Sequence, residues 1–166
     1  MYYKIVSMRK ILTIFFVLFL SFSAYSQSAD IITEILEADT ATFGHVCYLA
    51  AVQEQLIDEK ASYENAVNAL FEKGIIPSEE DPSAPIPVVD IAYIYSHLWK
   101  IEGGLMYRLT HGSPRYAFKQ FQSDGIISSE MEPSKFVTGA KALSIYTSCI
   151  NKYSDFDMKA VSMEVE

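Results

Sequence analysis

Two stretches decide the fold: "FEKGIIPSEEDPSAPIPVVDIAYIY" at residues 71–95 and "FQSDGIISSEMEPSKFVTGAKALSIY" at residues 121–146. Sliding the chain on itself by 51 positions aligns residues 62–99 with residues 113–150 without a gap. Eleven pairs are identical: Ser62/Ser113, Ala66/Ala117, Gly74/Gly125, Ile75/Ile126, Ile76/Ile127, Ser78/Ser129, Glu79/Glu130, Pro82/Pro133, Ser83/Ser134, Ile94/Ile145 and Tyr95/Tyr146. Apolar exchanges such as Val67/Phe118, Leu70/Phe121 and Ile86/Val137 keep the pattern elsewhere. Self-similarity at a fixed spacing of this length marks a copied supersecondary unit.

Each copy reads as short helix, loop, longer helix. Ser62 and Ser113 stand where an N-cap hydroxyl accepts from free backbone N–H groups, and Pro114 follows at a position that needs no donor. Ala66, Val67 and Leu70, like Ala117, Phe118 and Phe121, form an apolar stripe at helical spacing. Gly74 and Gly125 sit just past the last turn, where a left-handed residue ends a helix at little cost. Paired isoleucines then drop into the core, and a polar stretch with Pro82 or Pro133 leads to the second helix. Its expected inward stripe is Val88, Ile91, Ala92, Tyr95, Leu98 and Trp99 in one copy, and Ala142, Leu143, Tyr146, Cys149 and Ile150 in the other. Neither copy can bury its apolar face alone. Upstream, "DTATFGHVCYLAAVQEQL" repeats the spacing with Phe43, Val46, Cys47, Ala50 and Ala51, and "VCY" matches "YIY" and "SIY". Residues 31–58 therefore read as a degenerate partial repeat. The expected fold is all-α, with three longer helices packed around a pseudo-threefold core and the two short helices outside.

The first residues belong to a different kind of segment. Lys4, Arg9 and Lys10 precede the apolar run "ILTIFFVLFLSF" and the small residues of "SAYS", which is the pattern of a secretory signal peptide over residues 1–26, cleaved before Gln27. An uncleaved anchor is the competing reading, but the run is shorter than the roughly 20 apolar residues that span a bilayer, so cleavage is expected, with no transmembrane segment after it. Residues 27–153 are then long enough for one domain, with residues 154–166 an acidic tail that is loose or pairs as a short edge strand. Without the signal the chain keeps 10 Lys and Arg against 21 Asp and Glu, a balance that argues against nucleic acid as a partner.

Cys47 and Cys149 are the only cysteines, in a chain expected to reach an oxidising compartment. They fall on the inward stripes of the first and last longer helices, within about one turn of the same height, so one bridge closing a loop of about a hundred residues is geometrically open. Two separate buried thiols are the competing reading.

The unit of helix, "KGII" or "DGII", Pro-containing loop and apolar helix resembles the S-layer homology (SLH) family, whose repeats of roughly fifty residues usually come in threes. The resemblance covers both full copies and the partial one. It implies a non-enzymatic exported protein, periplasmic or otherwise associated with the cell envelope, binding cell-wall polysaccharide or peptidoglycan through grooves between repeats. That family carries a Thr-Arg-Ala-Glu-like run at the start of the longer helix, its Arg contacting an anionic sugar. Here the runs are "IPVVD" (residues 86–90) and "VTGAK" (residues 137–141), so the Arg positions are Val88 and Gly139. Thr138 keeps the Thr and Asp90 an acidic residue.

Cations gather in one place, around "GGLMYRLTHGSPRYAFK", with Arg108, His111, Arg115 and Lys119. Facing one groove with Lys135, Thr138 and Lys141, they would receive carboxylates of wall sugars or peptide stems, since Arg bonds carboxylates with two prongs. Tyr107 and Tyr116 would add stacking faces. On the plainer reading these cations balance neighbouring Asp and Glu on a solvated surface. "HGSP" lacks the strand–turn–helix setting of an activated serine, and capping accounts for both Ser113 and Ser62. His45, Cys47, His97, His111 and Cys149 have no paired zinc spacing, so neither a metal nor a cofactor is expected. The alternative to a wall-binding module is a periplasmic adaptor that has lost the sugar site and presents apolar and aromatic surface to a protein.

Overall fold

The computed structural model describes residues 26–163, with side chains from residue 30 to residue 154. The signal peptide expected at residues 1–26 lies outside the described residues, Ser26 excepted. The chain divides into two compact units, residues 1–34 and residues 35–166. Of the first unit, residues 26–34 are described and form the beginning of helix α1 (Ser26–Glu37).

In the second unit the described chain is all-α: α2 (Phe43–Gln53), α3 (Tyr63–Glu72), α4 (Val88–Leu98), the short α5 (Leu105–Leu109), α6 (Pro114–Ser123) and α7 (Gly139–Met163). Backbone pairing between extended segments is confined, among the described residues, to the isolated bridges Thr42–Pro85 and Pro87–Phe136.

The helix ends follow from local chemistry. Thr42 caps α2 reciprocally: its hydroxyl accepts from the His45 N–H at 3.3 Å, and His45 Nδ1 accepts from the Thr42 N–H at 3.4 Å. Ser62 caps α3, its hydroxyl accepting from the Asn65 N–H at 3.2 Å. Ser113 holds the N-cap position of α6 with Pro114 behind it, but its hydroxyl makes no capping bond. The two glycines behave alike. Gly74 (φ 74°) and Gly125 (φ 76°) both turn left-handed, and in each case the isoleucine pair that follows donates to one carbonyl, Leu70 for Ile75 and Ile76, Phe121 for Ile126 and Ile127. All four isoleucines are buried.

Helix α2 carries no acid or base apart from His45, and its residues Gly44 to Ala51 are all buried. A helix apolar all round belongs inside. It packs against α3 along its length and touches both α4 and α7, which also touch each other; α6 lies along α4. Helices α3 and α6 thus each pack on the longer helix that precedes them, α2 and α4. Ile91, Ala92, Tyr95 and Leu98 of α4 are buried as the periodicity predicts. On α7 the buried face is Ala142, Ile145 and Cys149, while Leu143, Tyr146 and Ile150 are only half-buried. The inward stripe therefore keeps Ala142 and Cys149 of the expected one and takes Ile145 in place of Leu143, Tyr146 and Ile150.

The starts of the three longer helices are tied together through backbone. Ala41 N–H donates to the Val137 carbonyl at 2.7 Å, and Ile86 N–H to the Ala41 carbonyl at 3.0 Å. Each helix also seats its first N–H groups on a loop carbonyl: Phe43 on Ala84 (3.0 Å), Val88 on Lys135 (2.9 Å), Gly139 on Ala38 (2.9 Å). These are orphan donors of a helix N-terminus, and burying them requires such partners. Gly139 has no room for a side chain, since a Cβ there would stand 1.7 Å from the Ile35 carbonyl oxygen.

Helix α7 runs through residues 154–163, where a loose tail or edge strand is expected from the sequence. Its middle is anchored to the end of α6: Tyr153 Oη donates to Asp124 Oδ2 at 2.7 Å, Gln120 Nε2 donates to the same oxygen at 3.1 Å, and Lys152 Nζ stands 3.6 Å from Oδ1.

Candidate functional site

Helix α6, its capping turn and the start of α4 enclose a groove of about 460 Å³ lined by Val89, Arg115, Phe118, Lys119, Gln122, Met131 and Pro133. The 3.6-residue period places Arg115, Phe118, Lys119 and Gln122 on one face. Phe118 is buried and forms the floor with Val89, Met131 and Pro133, while Arg115 and Lys119 are exposed on the rim, one turn apart. One wall is fixed by Gln122, whose Nε2 is shared among the carbonyls of Ser128 and Ser129 (both 3.2 Å) and Met131 (3.3 Å). Val89 N–H donates to the Pro133 carbonyl at 3.0 Å and closes the groove at α4. The Lys119 ammonium lies 5.7 Å from the centre of the Tyr116 ring. Among the described residues no carboxylate pairs with Arg115. The groove therefore offers two cations over an apolar floor, which suits an anionic ligand with an apolar face.

The other candidate residues do not join it as a single cationic face. Arg108 on α5 folds back on its own loop: its Nη2 is 3.6 Å from Glu102 Oε2, and its Nε donates to the carbonyls of Glu102 (3.1 Å) and Gly103 (3.3 Å). That pair is solvated and worth little in energy, but it uses the guanidinium. His111 is exposed in the left-handed residue (φ 51°) that ends the α5 turn. Lys135 contributes its backbone carbonyl to the seat of α4. Thr138 caps α7, accepting from the Lys141 N–H at 3.2 Å, so both residues belong to the start of that helix.

At the two positions where an SLH-like repeat would carry its ligand Arg, Val88 is fully buried and Gly139 lies against Ile35. Neither position points a side chain to solvent. Lys119, Gln122 and the apolar floor were not singled out as a set from the sequence. The signal was there in the repeat alignment, which pairs Arg115 and Lys119 with Glu64 and Asn68, so only the second copy has cations on this face.

The two cysteines are free and buried. In this structure the expected bridge between them is not formed. Helices α2 and α7 start side by side, yet Cys47 is the fifth residue of one and Cys149 the eleventh of the other. Six residues correspond to about 9 Å of helical rise, so the two thiols do not occupy equivalent positions of their helices. Burial pushes the Cys47 thiol up to about 12 and raises Cys149 further, so neither is a thiolate nucleophile at neutral pH. His45 serves the α2 cap and packs edge-on against Tyr63, and His97 Nδ1 lies 2.9 Å from the Tyr93 carbonyl.

No protein-family model matches the chain, and neither the curated proteins nor the solved structures contain a match to it.

Proposed function

We propose that this is a non-enzymatic, exported envelope protein whose SLH-like helical module binds an anionic cell-wall polymer in the groove of Arg115 and Lys119. The observation that carries the reading is that groove: two cations one turn apart above a floor of Val89, Phe118, Met131 and Pro133. A sugar ring presents an apolar face to such a floor while its carboxylate meets the guanidinium. The pairwise contact of α2, α4 and α7, and the matched seating of their N-termini on loop carbonyls, support a pseudo-threefold arrangement of three degenerate repeats, in which the turn after α1 supplies the third seat through Ala38. In this reading the binding groove has moved. The family's Arg positions are taken by core residues, and the cations on α6 replace them.

Cosedimentation with purified sacculi tests the proposal. Arg115→Ala and Lys119→Ala should each lower the bound fraction by about threefold to tenfold, an effect of about 1 kcal/mol apiece, and added salt should weaken binding of the parent protein. Arg108→Ala should bind like the parent, because its guanidinium is already held by Glu102. Equal binding by Arg115→Ala, Lys119→Ala and the parent would remove the groove from the account.

A second reading, a periplasmic adaptor for a protein partner, is favoured by one observation. Leu105, Met106 and Leu109 stand exposed together on α5, at 73%, 49% and 65% of their free surface. Recovery of one stoichiometric partner from a wall-free envelope extract, lost when Leu105 and Leu109 are changed to Ser, would favour the adaptor over wall binding.

A further inference from the structure

We propose that a second groove, on the other flank of the α6 start, takes an arginine side chain of a partner polypeptide. This groove, about 220 Å³, is walled by Phe43, Ile76, Pro77, Tyr93, Ile94 and Pro114 and carries two carboxylates, Glu80 and Asp90. Its volume is below the roughly 300–1,000 Å³ of sites that enclose a whole small molecule. One long side chain fits it.

The occupant follows from charge and shape together. Glu80 and Asp90 come from different elements, the turn beyond α3 and the first turn of α4, and both are half-buried. Glu80 accepts a hydrogen bond from the Ser78 hydroxyl at 2.7 Å, and among the described residues neither carboxylate is paired with a cation. The first turn of a helix favours an acid at Asp90, but that does not account for a second carboxylate lining the same apolar groove. Burial, and then the charge of Glu80, hold the Asp90 carboxyl above the usual carboxylate range. A guanidinium relieves this. It carries donors in a fork that two carboxylates can share, it is weakly hydrated, and its flat faces lie against rings such as Phe43 and Tyr93. A hard metal ion would want a cage of oxygens, and the remaining walls are carbon, the Tyr93 hydroxyl apart.

The test uses the full chain, isotope-labelled, titrated with the capped peptide Ac-Gly-Leu-Arg-Leu-Gly-NH2 and with the same peptide carrying citrulline for arginine. Saturable shifts of the Asp90, Tyr93 and Ile94 amides with the arginine peptide alone are expected. Glu80→Gln and Asp90→Asn should each weaken binding about fivefold or more, with melting curves showing that both variants fold, and Arg115→Ala should leave peptide binding intact. Absence of saturable shifts, equal binding of the citrulline peptide, or unchanged affinity in Glu80→Gln would overturn the proposal. So would saturation of the same amides by calcium chloride alone, which would make the groove a metal site.

Discussion

The hydroxyl of Tyr95 is fully buried where α4 meets α2 and α7, packed against Trp99 and Tyr146 with ring centres 5.5 and 5.6 Å away, and it has no hydrogen-bond partner among the described residues. Burial and the neighbouring Cys149 thiol raise its pKa well above that of free tyrosine. A buried donor left unpaired is costly, whereas the ring keeps its packing without it. Tyr95→Phe should therefore raise stability by about 1 kcal/mol, or about 3 °C in thermal melting; a fall would mean that the hydroxyl has a partner. Gly139→Ala should do the opposite and cost about 3 kcal/mol or more, because the new methyl would collide with the Ile35 carbonyl and unseat the α7 N-terminus. The Glu80–Asp90 pair makes stability depend on pH. Asp90's raised carboxyl pKa gives a contribution that is full below the ordinary carboxylate range and is lost as pH rises through the raised value. Glu80→Gln should thus melt about 1–2 °C above the parent at pH 7, with the gain gone at pH 3. Equal gains at both pH values would show that the carboxylates do not interact.

At the scale of elements, the helix boundaries were the most legible part of the sequence. Ser62, Pro114, Gly74 and Gly125 each mark an end through a local backbone requirement, and local requirements are written in single residues. Substituting Ala for Gly74 or Gly125 should cost about 1–2 kcal/mol in each case, since both are left-handed with open space around the new methyl. A large effect at one and none at the other, measured by denaturant unfolding, would break the equivalence of the copies. The expected partial repeat was harder to register. The triplet "VCY" suggests an offset of 47 residues to "YIY", whereas the helix starts at Phe43 and Val88 differ by 45. Cys47 consequently sits one turn and a half nearer its helix start than Cys149, which sequence alignment on the triplet could not reveal. Labelling after denaturation without reductant should find two thiols, and labelling of the native protein at pH 8 almost none. A denatured chain with no reactive thiol would restore the bridge.

For the whole molecule, the burial of α2 on every side, its contacts with α3, α4 and α7, and the seating of α2, α4 and α7 on loop carbonyls were readable only in outline, because they depend on which copies meet. The cationic segment was visible in the sequence, but its grouping was not. A count of charges cannot tell that Arg108 turns back to Glu102 while Arg115 and Lys119 share a groove with Phe118. The proposed function rests on that grouping, and mapping the bound surface tests it most directly. Titration of the isotope-labelled protein with soluble, purified wall-polymer fragments should shift the amides of Val89, Phe118, Lys119 and Gln122 saturably and leave α5 unmoved. Shifts confined to residues 105–109, or none at all, would contradict it.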